Sequence, residues 1–228
     1  MDQRDVTTAA ADPIGREHVS TPLLHADWRY VEPLSLDEMT GDDWTVLRRQ
    51  QQSLMAERKA DSVLRWLATT ADEPAFGYRV NLYRHSLQTA TMALADGLDE
   101  ETIVCMALHD IGYPVSPETH AEIVAGLLGP YVSDANYFML LRHQDFLTAH
   151  LHDHPVADIR TRERWRGHPH FEWAATFAER YDQRSIDPVS GWLPLAAFEP
   201  MIRRLFAKEP RRRAPLVPAD EWPGTAAV

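Results

Sequence analysis

The chain has 228 residues, enough for one domain with a sizeable core and at most small extensions. Its 34 acidic against 23 basic residues give a formal charge of -11, which repels a polyanion and argues against nucleic acid as a partner. A single cysteine, Cys105, excludes an internal disulfide and a cysteine-based zinc cluster, so any metal must be held by His, Asp or Glu.

No run of about 18 apolar residues is present to span a membrane. The polar start Met1-Asp2-Gln3-Arg4-Asp5 lacks the charged-then-apolar order of a secretory signal. The expectation is a cytoplasmic protein, with no membrane partner and with its oligomeric state open.

Residues 1–32 mix Asp, Thr, Pro and Ala without a sustained period and read as a loose arm; His18 and His25 there read as surface. From Ser35 the period changes. Leu36, Met39, Trp44, Leu47, Leu54, Val63, Leu64 and Leu67 recur at helical spacings, with Asp42 and Asp43 at the favourable N-terminal end. This predicts a long helix that ends before Asp72-Glu73-Pro74, with room for one break near Ala60-Asp61.

After Pro74–Gly77, residues 81–96 carry Leu82, His85, Leu87, Ala90, Met92, Ala93 and Leu94 around much of the circumference, which predicts a helix buried on most sides. Gly97 closes it, and Asp99-Glu100-Glu101 opens an apolar run through Ile103, Val104, Met106 and Ala107 to His109-Asp110, which Gly112 stops. Ser116-Pro117-Glu118 reads as the next helix start, with Ser as N-cap and Pro first, so that His120 falls in its first turns.

Gly129-Pro130 ends that helix. Ser133-Asp134 caps another, through Tyr137, Phe138, Leu140 and Leu141 to His143. Residues 149–169 read as mostly loop with a short helix, and the spaced His150, His152 and His154 as solvated. A helix over 171–184 would bury Phe171, Ala174, Ala175, Phe177, Ala178 and Tyr181, and one over 194–208 would bury Leu195, Phe198, Met201, Ile202 and Leu205. Residues 209–228 form a Pro-rich tail whose Arg211-Arg212-Arg213 reads as solvated surface. With no internal repeat and no alternating strand pattern, the class is all-α, a single helical bundle over 33–208.

An imidazole and a carboxylate adjacent at the end of an apolar helix need a charged partner if they are buried. His85, His109, Asp110, His120 and His143 fall on four successive predicted core helices, and Asp182 on a later one; a bundle builds a central metal site in this way. Nitrogen and carboxylate donors together suit Fe, Mn, Zn, Ni or Co better than Ca or Mg. Six donors are too many for one tetrahedral ion. Two ions sharing a carboxylate would use all six, with Asp110 as the natural bridge.

The pattern His85, His109-Asp110 and a distant Asp182 resembles the HD-domain superfamily of metal-dependent phosphohydrolases, and the added His120 and His143 resemble its dinuclear branch. Within that branch, Leu82-Tyr83-Arg84-His85-Ser86-Leu87-Gln88-Thr89-Ala90 and Ala107-Leu108-His109-Asp110-Ile111-Gly112 are similar to the mixed-valent di-iron oxygenases, the family of myo-inositol oxygenase and the 2-amino-1-hydroxyethylphosphonate-cleaving oxygenase. Pro130-Tyr131-Val132-Ser133, Tyr181-Asp182-Gln183, Ile186-Asp187-Pro188, Leu193-Pro194-Leu195 and Phe198-Glu199-Pro200-Met201 resemble a group of predicted HD phosphohydrolases.

The resemblance implies an HD-domain bundle with two Fe ions, Fe(II)/Fe(III). One would be held by His85, His109, Asp110 and Asp182, the other by Asp110, His120 and His143. Asp187 competes with Asp182 as the last ligand; Arg180-Tyr181-Asp182 matches the aromatic-Asp motif of the oxygenases. The activity implied is O2-dependent C–H abstraction from a small polar metabolite. The alternative is a dinuclear phosphohydrolase using Mn, Zn, Ni or Mg, in which a bridging hydroxide attacks phosphorus.

Where the phosphonate-cleaving enzymes have a Tyr and a Glu before the first ligand, this chain has Ala75 and Tyr78; where they have a His and a Lys contacting phosphonate, it has Tyr113 and Leu147. The metal centre is kept and the phosphonate pocket is not. Tyr78, Tyr113 and Leu147 are thus the expected substrate-binding positions, and Asp110 and Tyr113 the expected catalytic ones, with hydrogen bonds to the centre expected from Gln88 or Tyr113. Arg79, Arg84 and Arg142, near the ligand positions, read as solvated surface.

Overall fold

The computed structural model describes residues 22–211; residues 1–21 and 212–228, which include most of the expected arm and tail, lie outside the described residues. Every regular element among the described residues is helical. None of these helices is long and apolar enough to cross a membrane. The chain falls into two compact units, Met1–Leu54 and Met55–Val228.

In the first unit, Thr40 caps the start of helix α1 (Gly41–Thr69) through a reciprocal pair of bonds with Asp43. His25 is half-buried against Trp28, ring centroids 4.8 Å apart, rather than free on the surface. Helix α1 runs unbroken through Ala60 and Asp61, where the sequence offers neither Gly nor Pro to interrupt it.

In the second unit, α2 (Leu82–Ala95) starts at Asn81, whose side chain accepts from the Arg84 N–H. Six consecutive residues of α2, His85 to Ala90, are buried. Helix α3 (Glu100–Leu108) is capped by Asp99 and buried continuously from Thr102 to Leu108. Apolar on all sides, it is the axis of the core, and His109 follows as its C-cap.

Helix α4 (His120–Leu128) begins later than Ser116-Pro117 suggested. Residues 110–116 instead make successive tight turns, with Tyr113 N–H on Asp110 and Ser116 N–H on Gly112, and these use up the segment the helix would have needed. Ser133 caps α5 (Asp134–Leu147), accepting from Asn136 N–H. Glu101 reaches across from α3 to accept from Ser133 N–H at 2.6 Å and from the Asn136 amide at 3.0 Å, fixing the start of α5 against that of α3.

Helix α6 (Phe171–Arg180) packs on α5 and is shorter than expected. Tyr181 is its C-cap, its N–H still on the Phe177 carbonyl, and Asp182–Arg184 form a separate 3-10 turn. Helix α7 (Leu195–Phe206) covers α3 with Phe198, Ile202 and Leu205. Phe138, Phe146, Phe177, Phe198, Leu67, Leu87, Leu108 and Leu140 are fully buried, each contributing roughly 1.5–3 kcal/mol by leaving water.

Candidate metal centre

His85 lies in the first turn of α2, His109 and Asp110 follow the end of α3, His120 opens α4, His143 sits late in α5, and Asp182 begins the 3-10 turn after α6. All six meet. The Nε2 atoms of His85 and His109 are 3.1 Å apart, and those of His120 and His143 3.0 Å apart.

Asp110 stands between the two pairs. Its Oδ2 is 3.5 Å from His85 and 3.3 Å from His109, and its Oδ1 is 3.2 Å from both His120 and His143. Asp182 Oδ1 lies 3.5 Å from His85 Nε2 and 3.7 Å from His109 Nε2.

Ring hydrogen bonds set the tautomers. Each Nδ1 faces a main-chain carbonyl: Ser185 for His85 (3.2 Å), Met106 for His109 (2.9 Å), Pro117 for His120 (2.7 Å) and Leu140 for His143 (2.8 Å). A carbonyl can only accept, so each Nδ1 carries the proton and each Nε2 presents a lone pair inward. With the rings neutral the centre is lined by acceptors facing acceptors, an arrangement that a bound cation or a second ring proton stabilises.

The spacing fits metal ions. Donors about 2.0–2.2 Å from a common ion are about 2.8–3.6 Å from each other at octahedral or tetrahedral angles. Asp182 Oδ2 is buried with no hydrogen-bond partner, an orphan acceptor suited to a cation or its bound water.

Electrostatics agree with that reading. Burial by itself would lower His109, but Asp110 and Asp182 more than reverse this and hold the imidazole well above its usual range. His120 is likewise raised, the Asp110 carboxylate overcoming burial. Asp110 is held well below the carboxylate range against its own burial, first by His109, then by His120 and His143. His85 is pushed down, by burial and then by the neighbouring His109.

No protein-family model and no curated protein matches this chain. Two overlapping groups, His85 with His109 and Asp182, and His109 with Asp110 and His143, each bring single donor atoms within 4.8 Å of one another.

Asp187 does not enter the cluster: its carboxylate accepts from Val189 N–H and from the Ser190 hydroxyl. Tyr113 is half-buried with its ring edge-on to His120, centroids 5.2 Å apart. Leu147 is the last residue of α5, one turn past His143 and half-buried, whereas Tyr78 stands 63 % exposed in the loop before α2. Among the six donors Asp110 has the most exposed side chain, 16 %, against 0 % for His109, so the centre opens over the bridging position.

The arginines depart from the solvated reading in two of three cases. Arg79 is exposed, but Arg84 lies 4.0 Å over the Trp192 ring and Arg142 4.3 Å over Trp165. A weakly hydrated guanidinium gains from such stacking, which half-buries both. His152 and His154 are exposed, while His150 is half-buried at the end of a 3-10 turn, Thr148–His150.

Three contributors were not foreseen. The Ser185 carbonyl orients His85, and nothing in the local sequence marks it. Phe177 walls the centre, its ring 5.3 Å from His109 and 6.2 Å from His143. Gly112 allows α4 to approach: a Cβ there would lie 3.0 Å from Ile123 Cβ and 3.1 Å from the His120 carbonyl oxygen.

Proposed function

We propose that this chain is an HD-domain di-iron oxygenase, acting on a small polar metabolite by O2-dependent C–H abstraction. The observation that carries the dinuclear part is Asp110, whose two oxygens each face a different pair of imidazole lone pairs at 3.2–3.5 Å. One ion would take His85, His109, Asp110 and Asp182; the other would take Asp110, His120 and His143. The preference for iron and O2 rests on the likeness of the 82–90 and 107–112 segments to the di-iron oxygenases.

Bound there, an Fe(II)/Fe(III) pair supplies the one-electron chemistry that activates O2. The protein's part is to hold the donors. Each Nδ1–H bond to a carbonyl fixes its ring and strengthens Nε2 as a donor. Phe177 keeps water from the inner face, and Asp110, the most open donor, marks where substrate arrives. Tyr113, edge-on to His120, can orient a substrate hydroxyl or amine there.

Protein produced with added iron should hold two irons per chain and, half-reduced, give a mixed-valent EPR signal. A redox-silent Zn or Mg form that hydrolyses phosphate esters would establish the phosphohydrolase alternative instead. Screening amino-alcohols, polyols and amino acids for O2 consumption would identify the substrate class.

A further inference from the structure

Three of the four imidazoles take their orienting carbonyl from three residues earlier in the chain: His109 from Met106, His120 from Pro117 and His143 from Leu140. His85 is the exception. Its carbonyl belongs to Ser185, 100 residues away, three residues beyond Asp182. From Ser185 to Pro194 the chain has no helix or strand to hold it in place.

One face of α2 holds it instead. The Gln88 amide, 1 % exposed, donates to the carbonyls of Asp187 (2.6 Å) and Ser190 (2.9 Å). Arg84, one turn earlier, donates to the Pro188 carbonyl and stacks on Trp192. Thr91 accepts from Leu193 N–H at 2.9 Å, and Thr89 donates to the Ser185 hydroxyl at 2.8 Å. The exposed side chains of this strap, Val189 (89 %) and Ile186 (47 %), add little burial of their own, so the polar contacts to α2 decide its position.

We propose that Gln88 and Arg84 are positioning residues for one half of the metal centre. By clamping 185–193 to α2 they hold the Ser185 carbonyl behind His85 and fix Asp182 in front of it. The inference rests on the dinuclear reading and adds an asymmetry to it. The His120–His143 half is oriented by local carbonyls and is complete without the strap; the His85–Asp182 half is complete only when the strap is seated. The two ions therefore differ in affinity, and the His85 ion is the one coupled to the strap.

The test uses the full chain, titrated with Zn(II) or Fe(II) against a chromophoric chelator. The wild type should bind two ions unequally. Gln88→Met, which keeps length and volume, and Arg84→Lys, which keeps charge but not the planar fork, should each weaken one ion about tenfold and leave the other within about twofold. Hydrogen exchange across 185–193 in the unaltered protein should slow as one of the two ions binds, the one that the variants weaken.

Equal weakening of both ions, or folded variants with both affinities unchanged, would overturn the proposal. If Gln88→Met does not fold, Arg84→Lys and the exchange experiment decide, and exchange indifferent to metal overturns it. A wild type that binds only one ion refutes the dinuclear reading itself, a different and separately readable failure.

Discussion

Loading this centre with metal should expel protons, and the structure shows which rings hold them. In chelator-stripped protein, burial alone would lower His109 and His120, but Asp110, joined at His109 by Asp182, raises both above 6.5. Both rings therefore keep their second proton to higher pH than a free imidazole does. His85, held down by burial and by His109, contributes little, and Asp110 and Asp182 stay ionised because His109 outweighs their burial.

Metal binds only the neutral ring, so filling the centre near pH 6 should release protons, those of His109 and His120 among them. The overall binding constant should then rise with pH, about tenfold per pH unit for each proton released. The stability of the stripped protein runs the other way. The raised His values contribute stability that is full below the unfolded value near 6.5 and lost as pH climbs through the folded ones, so stripped protein should melt lower at pH 8 than at pH 6. The two depressed carboxylates act at the other end, stabilising above about pH 3.9 and failing only as pH falls through their folded values.

Metal at about a thousand times its Kd adds about 4.1 kcal/mol, hence about 8–16 °C in Tm for a chain of this size. Calorimetry in two buffers of different ionisation enthalpy counts the protons. Release of less than about half a proton at pH 6, or an affinity flat between pH 6 and 8, would refute the assignment of these imidazoles as donors.

The choice between the two candidate last ligands gives a paired test: Asp182→Asn should cut the affinity of one ion tenfold to a hundredfold, while Asp187→Asn should loosen the strap without removing a donor and change affinity less, as metal titration will show. Gly112→Ala sets a methyl against Ile123 and the His120 carbonyl; about 1–3 kcal/mol of stability should be lost in urea titration, together with metal from the His120 half. Phe138→Ala empties a site 1 % exposed and stacked on His168, and should cost about 3–5 kcal/mol by the same assay with metal content unchanged.

The helices were legible because their ends are written in side-chain chemistry. Asn81, Asp99 and Ser133 each cap with an oxygen on the N–H three residues on, and these are the boundaries the sequence placed well. Boundaries set by tertiary geometry were not legible. Ser116-Pro117 has the composition of a helix start, yet the turns after Asp110 and the close approach at Gly112 move the start to His120. The end of α6 at Arg180 is likewise a backbone event, the switch to a 3-10 turn at Asp182, while the buried Tyr181 ring continues the helical pattern.

The donors divide along the same line. A histidine whose ring turns back to the carbonyl three residues earlier carries its own orienting partner, so His109, His120 and His143 need only their local chain to become good ligands. His85 and Asp182 need each other's surroundings: the carbonyl behind His85 comes from the strap, and the strap is placed by α2, the helix that carries His85. Sequence could rank Asp182 above Asp187 only by its neighbour Tyr181; in the fold, Asp187 turns its carboxylate to Ser190 and lends α2 its carbonyl instead. Two carboxylates five residues apart thus divide the work, one facing the metal centre and the other securing the strap behind it.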